Sequence, residues 1–158
     1  MQKSKINATS ISIAIRQTVA EWLRADTVQR VEQIGSGGCY DFADDVVKLL
    51  GFGGDERDIT IVTEGFWKLD PDEEDARISW TADLDLWRKA GEPVPVDIPT
   101  EELEDLLGSA THIWFHVEGK HFDAEAPDGV DHALHLPFFS RQINGLRKEL
   151  QERGTVLN

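Results

Sequence analysis

The sequence predicts an α+β domain in which a helix headed by a cysteine packs on a small antiparallel sheet. Two patterns carry this prediction. The stretch "GSGGCYDFADDVVKLLG" places a glycine-rich run before an apolar helical periodicity that starts at or just before Cys39 and stops at Gly51. The stretch "HIWFHVEGKHFDAEAP" alternates as a β-hairpin does, with its turn at Glu118-Gly119. At 158 residues the chain is expected to form a single domain over residues 1–158.

The remaining elements follow from periodicity and from turn residues. Near the amino terminus Ile15, Val19 and Trp22 recur at helical spacing after the possible cap Ser10. "LPFFSRQINGLRKELQERG" predicts a closing helix, and "TADLDLWRKAG" and "TEELEDLLG" predict two short ones. "DITIVTEGFW" predicts a strand from its β-branched content, whereas the acidic run "DPDEEDA" is expected to be a solvated loop.

The charge of the chain restricts its partners. A formal net charge of −14, from 30 acidic and 16 basic residues, argues against nucleic acid, since phosphate contacts need clustered Lys and Arg. A solvated acidic surface is the simpler interpretation. A basic protein partner is the alternative that this acidity leaves open.

The sequence also bears on membrane association and on the cellular compartment. No run approaches the roughly 18 apolar residues of a membrane span. The segment "MQKSKINATSISIAIRQ" begins like a signal peptide, but Arg16 interrupts it and no small-residue cleavage site follows. We therefore expect a cytoplasmic protein without a membrane partner.

The predicted hairpin sorts its side chains onto two faces. A two-residue turn pairs His116 with His121 and collects the apolar residues of both strands on one face. A three-residue loop would place Phe122 among polar groups, so the even loop is favoured. His112 then lies diagonal to Asp123 and directly opposite Glu125, within reach of a carboxylate. The other face collects His112, Trp114, His116, His121, Asp123 and Glu125.

This polar face suggests acid–base chemistry. A carboxylate beside an imidazole fixes the tautomer and stabilises the imidazolium, as in arrangements of nucleophile, base and orienting group. Cys39 can supply the nucleophile, because a helix amino terminus and a neighbouring imidazolium lower a thiol pKa.

Two segments resemble known enzymes. "QIGSGGCYDFA" resembles the nucleophile segment of papain-like cysteine peptidases, with Gln33, Cys39 and Tyr40 at the matching positions. "HIWFHVEGKHFDAEAP" is similar to the transglutaminase-like relatives of that fold, with His112 and Asp123 matching. The resemblance departs from papain-type enzymes in having aspartate, not asparagine, as the third member.

The resemblance implies a papain-like/transglutaminase-like core and a cysteine hydrolase or acyltransferase that needs no cofactor. Cys39 would attack a carbonyl, His112 would take and return the proton, and Asp123 would orient His112. Gln33 would stabilise the oxyanion together with the Cys39 backbone N–H. Trp114 would shield the His-Asp pair or form a wall of the substrate groove, with Glu125 at its rim. The substrate would be a peptide, a protein, or another amide or thioester, which leaves peptidase, amidase and transglutaminase-like activities open.

Two other functions fit the same residues. His116, His121 and Asp123 could form a metal site of two histidines and one carboxylate, a ligand set that binds iron or zinc. The chain could also be a catalytically inactive binding module of the same fold. His132 and His135 are expected to be surface or packing residues.

Overall fold

A computed structural model describes residues 7–51, 63–65, 67–70, 73–77, 84–109 and 112–154. These residues form helices and antiparallel strands, so the predicted α+β class is confirmed. In chain order they are α1 (Ala8–Arg24), a π-helical turn (Ile34–Gly38), α2 (Cys39–Leu49), β1 (Thr63–Gly65), β2 (Trp67–Asp70), β3 (Glu73–Arg77), α3 (Leu84–Lys89), α4 (Thr100–Ser109), β4 (Ile113–Val117), β5 (Lys120–Asp123), β6 (Ala126–Val130), a 3₁₀ turn (Ala133–His135) and α5 (Pro137–Glu152).

The main sheet is antiparallel and four-stranded, in the order β1-β4-β5-β6, and β2 and β3 pair separately. The register of the β4–β5 hairpin pairs Phe115 with Phe122 and His116 with His121, as predicted. Its two turn residues, Glu118 and Gly119, both have positive φ, 50° and 75°. Such a turn matches the twist of paired strands, so the two-residue loop is confirmed.

Both faces of this sheet are buried. Helices α1 and α2 cover one face, where Phe115 and Phe122 belong to a first core cluster. Helices α4 and α5 cover the other face, where Trp114 belongs to a second cluster. The expectation of a polar face is therefore wrong in one respect: His112 and Asp123 are only 3% and 4% exposed. Distant segments supply the apolar side chains that cover them.

Helix α2 begins at Cys39 and is followed by Gly51 at φ 87°, so both predicted ends are confirmed. The glycine run before it, here called the π-helical turn, is kinked, since Ser36 and Gly37 have non-helical backbone angles, and it leads directly into α2. Gly37, at φ 133°, takes a conformation there that other residues rarely adopt. Trp22 ties α1 to α2, since its Nε1 donates to Asp45 Oδ2 at 2.8 Å.

The prediction that the acidic run is a loop is wrong. Strand β3 covers residues 73–77 and pairs with β2, so most of "DPDEEDA" is strand and not loop. Of the strand predicted in "DITIVTEGFW", β1 is present, and residues 58–62 and 66 lie outside the described residues. Among the described helices, none has the length and apolar character needed to cross a bilayer.

Candidate active site

Three elements bring Cys39, His112 and Asp123 to one small pocket. Cys39 is the first residue of α2, His112 immediately precedes β4, and Asp123 ends β5. Glu125 is the other ionisable residue that lines the pocket, and the remaining lining is apolar or glycine. The predicted nucleophile, base and orienting carboxylate are thus neighbours, although some seventy residues separate the first from the other two.

The His112–Asp123 pair is fixed and buried. His112 Nε2 lies 2.9 Å from Asp123 Oδ2, and the side chains are 3% and 5% exposed. The second oxygen, Oδ1, accepts the backbone N–H groups of Glu125 at 3.0 Å and Ala126 at 2.9 Å. Because the carboxylate accepts from Nε2–H, neutral His112 presents the lone pair of Nδ1 to its other neighbours.

The thiol of Cys39 lines the same pocket as His112. Nδ1 of His112 is buried and has no hydrogen-bond partner among the described residues. The contact with Cys39 still acts on both groups. Burial lowers the pKa of His112, but the hydrogen bond to Asp123 and the contact with Cys39 outweigh it, so this pKa is raised.

The pKa of the Cys39 thiol shifts in the opposite direction. Burial alone raises the pKa of Cys39, yet interaction with His112 and with the backbone N–H of Ile113 outweighs burial, and the pKa is lowered. Because the thiol pKa is lowered and the imidazole pKa is raised, the two pKa values lie closer together than those of free cysteine and histidine. Both shifts favour a thiolate–imidazolium pair, which is the reactive form of a cysteine nucleophile.

Gln33 does not reach the pocket in this structure. Its side-chain Oε1 accepts the backbone N–H groups of Gln29 at 2.7 Å and Arg30 at 3.0 Å, which holds it at the exposed start of the π-helical turn. A backbone donor that lowers the thiol pKa is instead the N–H of Ile113, ahead of that of Cys39 itself. The sequence does not reveal this donor, because a backbone group carries no residue signature.

Glu125 and Trp114 occupy different surroundings from those expected. The chain turns after Asp123, so Glu125 does not lie opposite His112 in the sheet; its carboxylate takes both Nη atoms of Arg141, at 2.5 and 2.7 Å. Glu125 therefore belongs to the pocket wall as half of an ion pair. Trp114 is 2% exposed inside the second core cluster and does not line the pocket.

Two residues that the sequence did not suggest also border the site. The ring of Phe138, from the first turn of α5, stacks on His112 with centroids 4.3 Å apart. Gly35, from the π-helical turn, is buried against both rings. The apolar periodicity of α5 indicates that Phe138 is buried, but it contains no signal for a histidine partner.

The histidines of the hairpin do not assemble a metal site. His116 and His121 stack with centroids 4.4 Å apart, and Asp123 is turned to His112. Trp114 Nε1 donates to His121 Nδ1 at 2.9 Å, so neutral His121 keeps its proton on Nε2. Burial and the neighbouring His116 lower the pKa of His121 to about 4. Within the described residues, no three His, Cys, Asp or Glu side chains are placed to hold a metal ion.

Comparison with known proteins adds no relative: no family model, curated protein or solved structure matches this chain.

Proposed function

We propose that this protein is a cysteine-nucleophile hydrolase or acyltransferase that uses a Cys39–His112–Asp123 triad. The observation that carries the proposal is the pocket in which partly buried Cys39 lies beside the buried, hydrogen-bonded His112–Asp123 pair, with the two pKa shifts in the directions that an ion pair requires. A helix that begins at the nucleophile and packs on the strands bearing the base also supports a papain-like/transglutaminase-like core.

In the proposed reaction the Cys39 thiolate attacks a carbonyl carbon and the carbonyl oxygen takes up negative charge. The donors that we propose for that oxygen are the backbone N–H groups of Ile113 and Cys39, both of which lower the pKa of the thiol. The imidazolium of His112 then protonates the leaving group as the carbon–leaving group bond breaks. Neutral His112 takes a proton from water or an amine, which attacks the acyl-cysteine and releases the thiolate.

The substrate proposed is a carbonyl compound with an amine or thiol leaving group: a peptide, a protein, another amide or a thioester. We propose a cytoplasmic setting, which suits a chain with one cysteine that acts as a free thiol. An inactive binding module of the same fold is the second candidate. The acidity of the chain favours it, with a basic protein as the partner.

Alkylation of Cys39 by iodoacetamide between pH 5 and pH 10 tests the pair. The wild-type thiol should react at pH 6 at least about 10-fold faster than in His112→Ala, since one unit of thiol pKa corresponds to that change in thiolate fraction. The ratio of the two rates should fall towards pH 10, as the thiol of His112→Ala also ionises. His135→Ala, which changes an exposed histidine outside the pocket, is the matched control and should behave as wild type.

Turnover is tested by mass spectrometry of the intact protein after mixing with p-nitrophenyl acetate and with a small thioester. An acyl adduct on Cys39 that disappears with time is expected, and Cys39→Ala should form none. Equal slow alkylation of wild type and His112→Ala at pH 6 would contradict the proposal. Rapid His112-dependent alkylation without any acyl adduct would favour the binding module.

A further inference from the structure

The ring of His112 is enclosed by aromatic side chains. Phe138 lies face to face with it, with centroids 4.3 Å apart and planes at 15°. Trp114 lies nearly parallel at 6.0 Å and 25°, and Phe139 meets the imidazole edge-on at 5.8 Å and 78°. Phe138 therefore makes the nearest face contact of the three.

Phe138 is itself held in place. It packs edge-to-face on Phe139, with centroids 5.2 Å apart and planes at 88°, and it is 6% exposed. On the pocket side the backbone of Gly35 leaves no room, since a Cβ atom there would lie 3.3 Å from Phe138 Cδ2. The Phe138 ring cannot swing away from the imidazole without displacing one of these neighbours.

Few charges act on His112. Asp123 approaches it from β5 and Cys39 from α2, and both favour the imidazolium. Helix α5, which carries Phe138, presents its amino-terminal turn, whose partial positive charge works against an imidazolium. Besides this turn, α5 contributes the face of the Phe138 ring, which carries negative electrostatic potential, and Arg141, whose charge is paired with Glu125 of the pocket wall.

We infer that Phe138 is a positioning residue for the proposed reaction. It fixes the plane of His112, so that Nε2 stays on Asp123 while Nδ1 stays towards the thiol, and its ring face stabilises the imidazolium half of the ion pair. A cation within about 6 Å of an aromatic centroid gains this kind of stabilisation, most when both groups are out of water. The inference rests on the proposed function, because only that function requires an imidazolium here.

The test compares Phe138→Leu, which keeps an apolar side chain but removes the ring face, with Phe138→Tyr, which restores it. Phe139→Leu is the matched control, because it removes a core ring that meets His112 only by its edge. Cys39 alkylation is followed from pH 5 to pH 10. The titration of His112 is followed by the NMR shift of its Cε1–H.

Phe138→Leu should lower the pH at which His112 deprotonates and slow alkylation at pH 6 about 3- to 30-fold, the range of a partly to fully desolvated cation–π contact. The difference should vanish above about pH 9.5. Phe138→Tyr should return to within about 2-fold of wild type. Phe139→Leu removes a neighbour of Phe138 and an edge contact with His112, but no ring face, so it should slow alkylation less than Phe138→Leu does. If Phe138→Leu does not fold, pentafluorophenylalanine at this position keeps the ring shape but inverts its quadrupole and should give the same slowing.

Unchanged titration of His112 in the Phe138 variants would overturn the inference, and so would equal shifts in Phe138→Leu and Phe139→Leu. Neither result contradicts the proposed function if His112→Ala still slows the alkylation of Cys39. If instead His112→Ala reacts like wild type, the proposed function fails first, whatever the Phe138 variants do.

Discussion

The two carboxylate oxygens of Asp123 have different hydrogen-bond partners. Oδ1 accepts two backbone N–H groups and closes the turn after β5, while Oδ2 holds His112. The carboxylate therefore stabilises the turn and also orients the imidazole. A variant that keeps the turn hydrogen bonds but changes the interaction with His112 separates these two roles.

Asp123→Asn is that variant. Its amide oxygen can still accept the turn N–H groups, but its NH₂ group would face His112 Nε2. Neutral His112 must then carry its proton on Nδ1, the nitrogen that should receive the thiol proton, and the imidazolium loses its counterion. We expect alkylation of Cys39 at pH 6 to fall about 10-fold or more, since an opposite charge shifts a pKa by about one to three units.

The direction of this change in alkylation rate follows from the raised pKa of His112. Without the carboxylate this pKa falls, the imidazolium is lost at lower pH, and the thiol titrates closer to its ordinary value. The melting temperature, measured by circular dichroism, should stay within a few degrees of wild type. A pH profile identical to that of wild type would show that Asp123 has no part in the chemistry.

The hairpin was predictable because a local pattern determines it. Slipping the register by one residue would move Phe115 and Phe122 out of the first core, so the apolar alternation fixes the pairing of the two strands. The helical periodicity after Cys39 fixes α2 in the same way. Chain-local signals of this kind predicted Cys39 at the start of a helix and Asp123 on the second strand of the hairpin. They predicted His112 on the first strand, which it immediately precedes.

Contacts that depend on distant segments were not predictable. Which aromatic residue of α5 would stack on His112 depends on how the helix docks, and "PFF" offers two adjacent candidates. Gln33 satisfies nearby backbone donors instead of entering the pocket, a local competition that a matching motif does not reveal. The acidic run pairs as β3 although its composition disfavours strands, since tertiary context overrides a weak local preference.

Gly35 shows how tightly the π-helical turn is packed on the site. A Cβ atom would lie 3.3 Å from Phe138 Cδ2 and 3.7 Å from His112 Cε1. Gly35→Ala should therefore force the Phe138–His112 stack to shift, lower the free energy of unfolding by about 1–3 kcal/mol and slow alkylation of Cys39. Urea unfolding and the alkylation assay at pH 6 measure the two effects.

Gly145→Ala is the matched control. Gly145 is exposed in the middle of α5, and a Cβ atom there would meet nothing within 4 Å. Alanine should stabilise the helix by up to about 1 kcal/mol and leave the thiol rate unchanged. Equal stability of Gly35→Ala and wild type would mean that the stack relaxes freely.

At the scale of the whole molecule, the sheet separates two cores and the candidate site lies where they meet. Cys39 comes from a helix of the first core, while His112 is packed by α5 in the second. The whole chain carries a net charge of −14. We expect these charges to make the field around the pocket negative, outside the ion pair of Glu125 and Arg141, and to select among charged reagents that approach the thiol.

This field can be measured with charged methanethiosulfonates, which transfer a thioalkyl group to a thiolate and release methanesulfinate. The trimethylammonium reagent should react with Cys39 faster than the sulfonate reagent, after each rate is divided by its rate with free N-acetylcysteine. The expected preference is about 10-fold or more at 0.01 M ionic strength, where the Debye length is about 30 Å, and it should approach unity at 1 M, where that length is about 3 Å. Preference for the sulfonate at low salt would show that His112 and Arg141 dominate the local potential, and that an anionic substrate fits this pocket better than a cationic one.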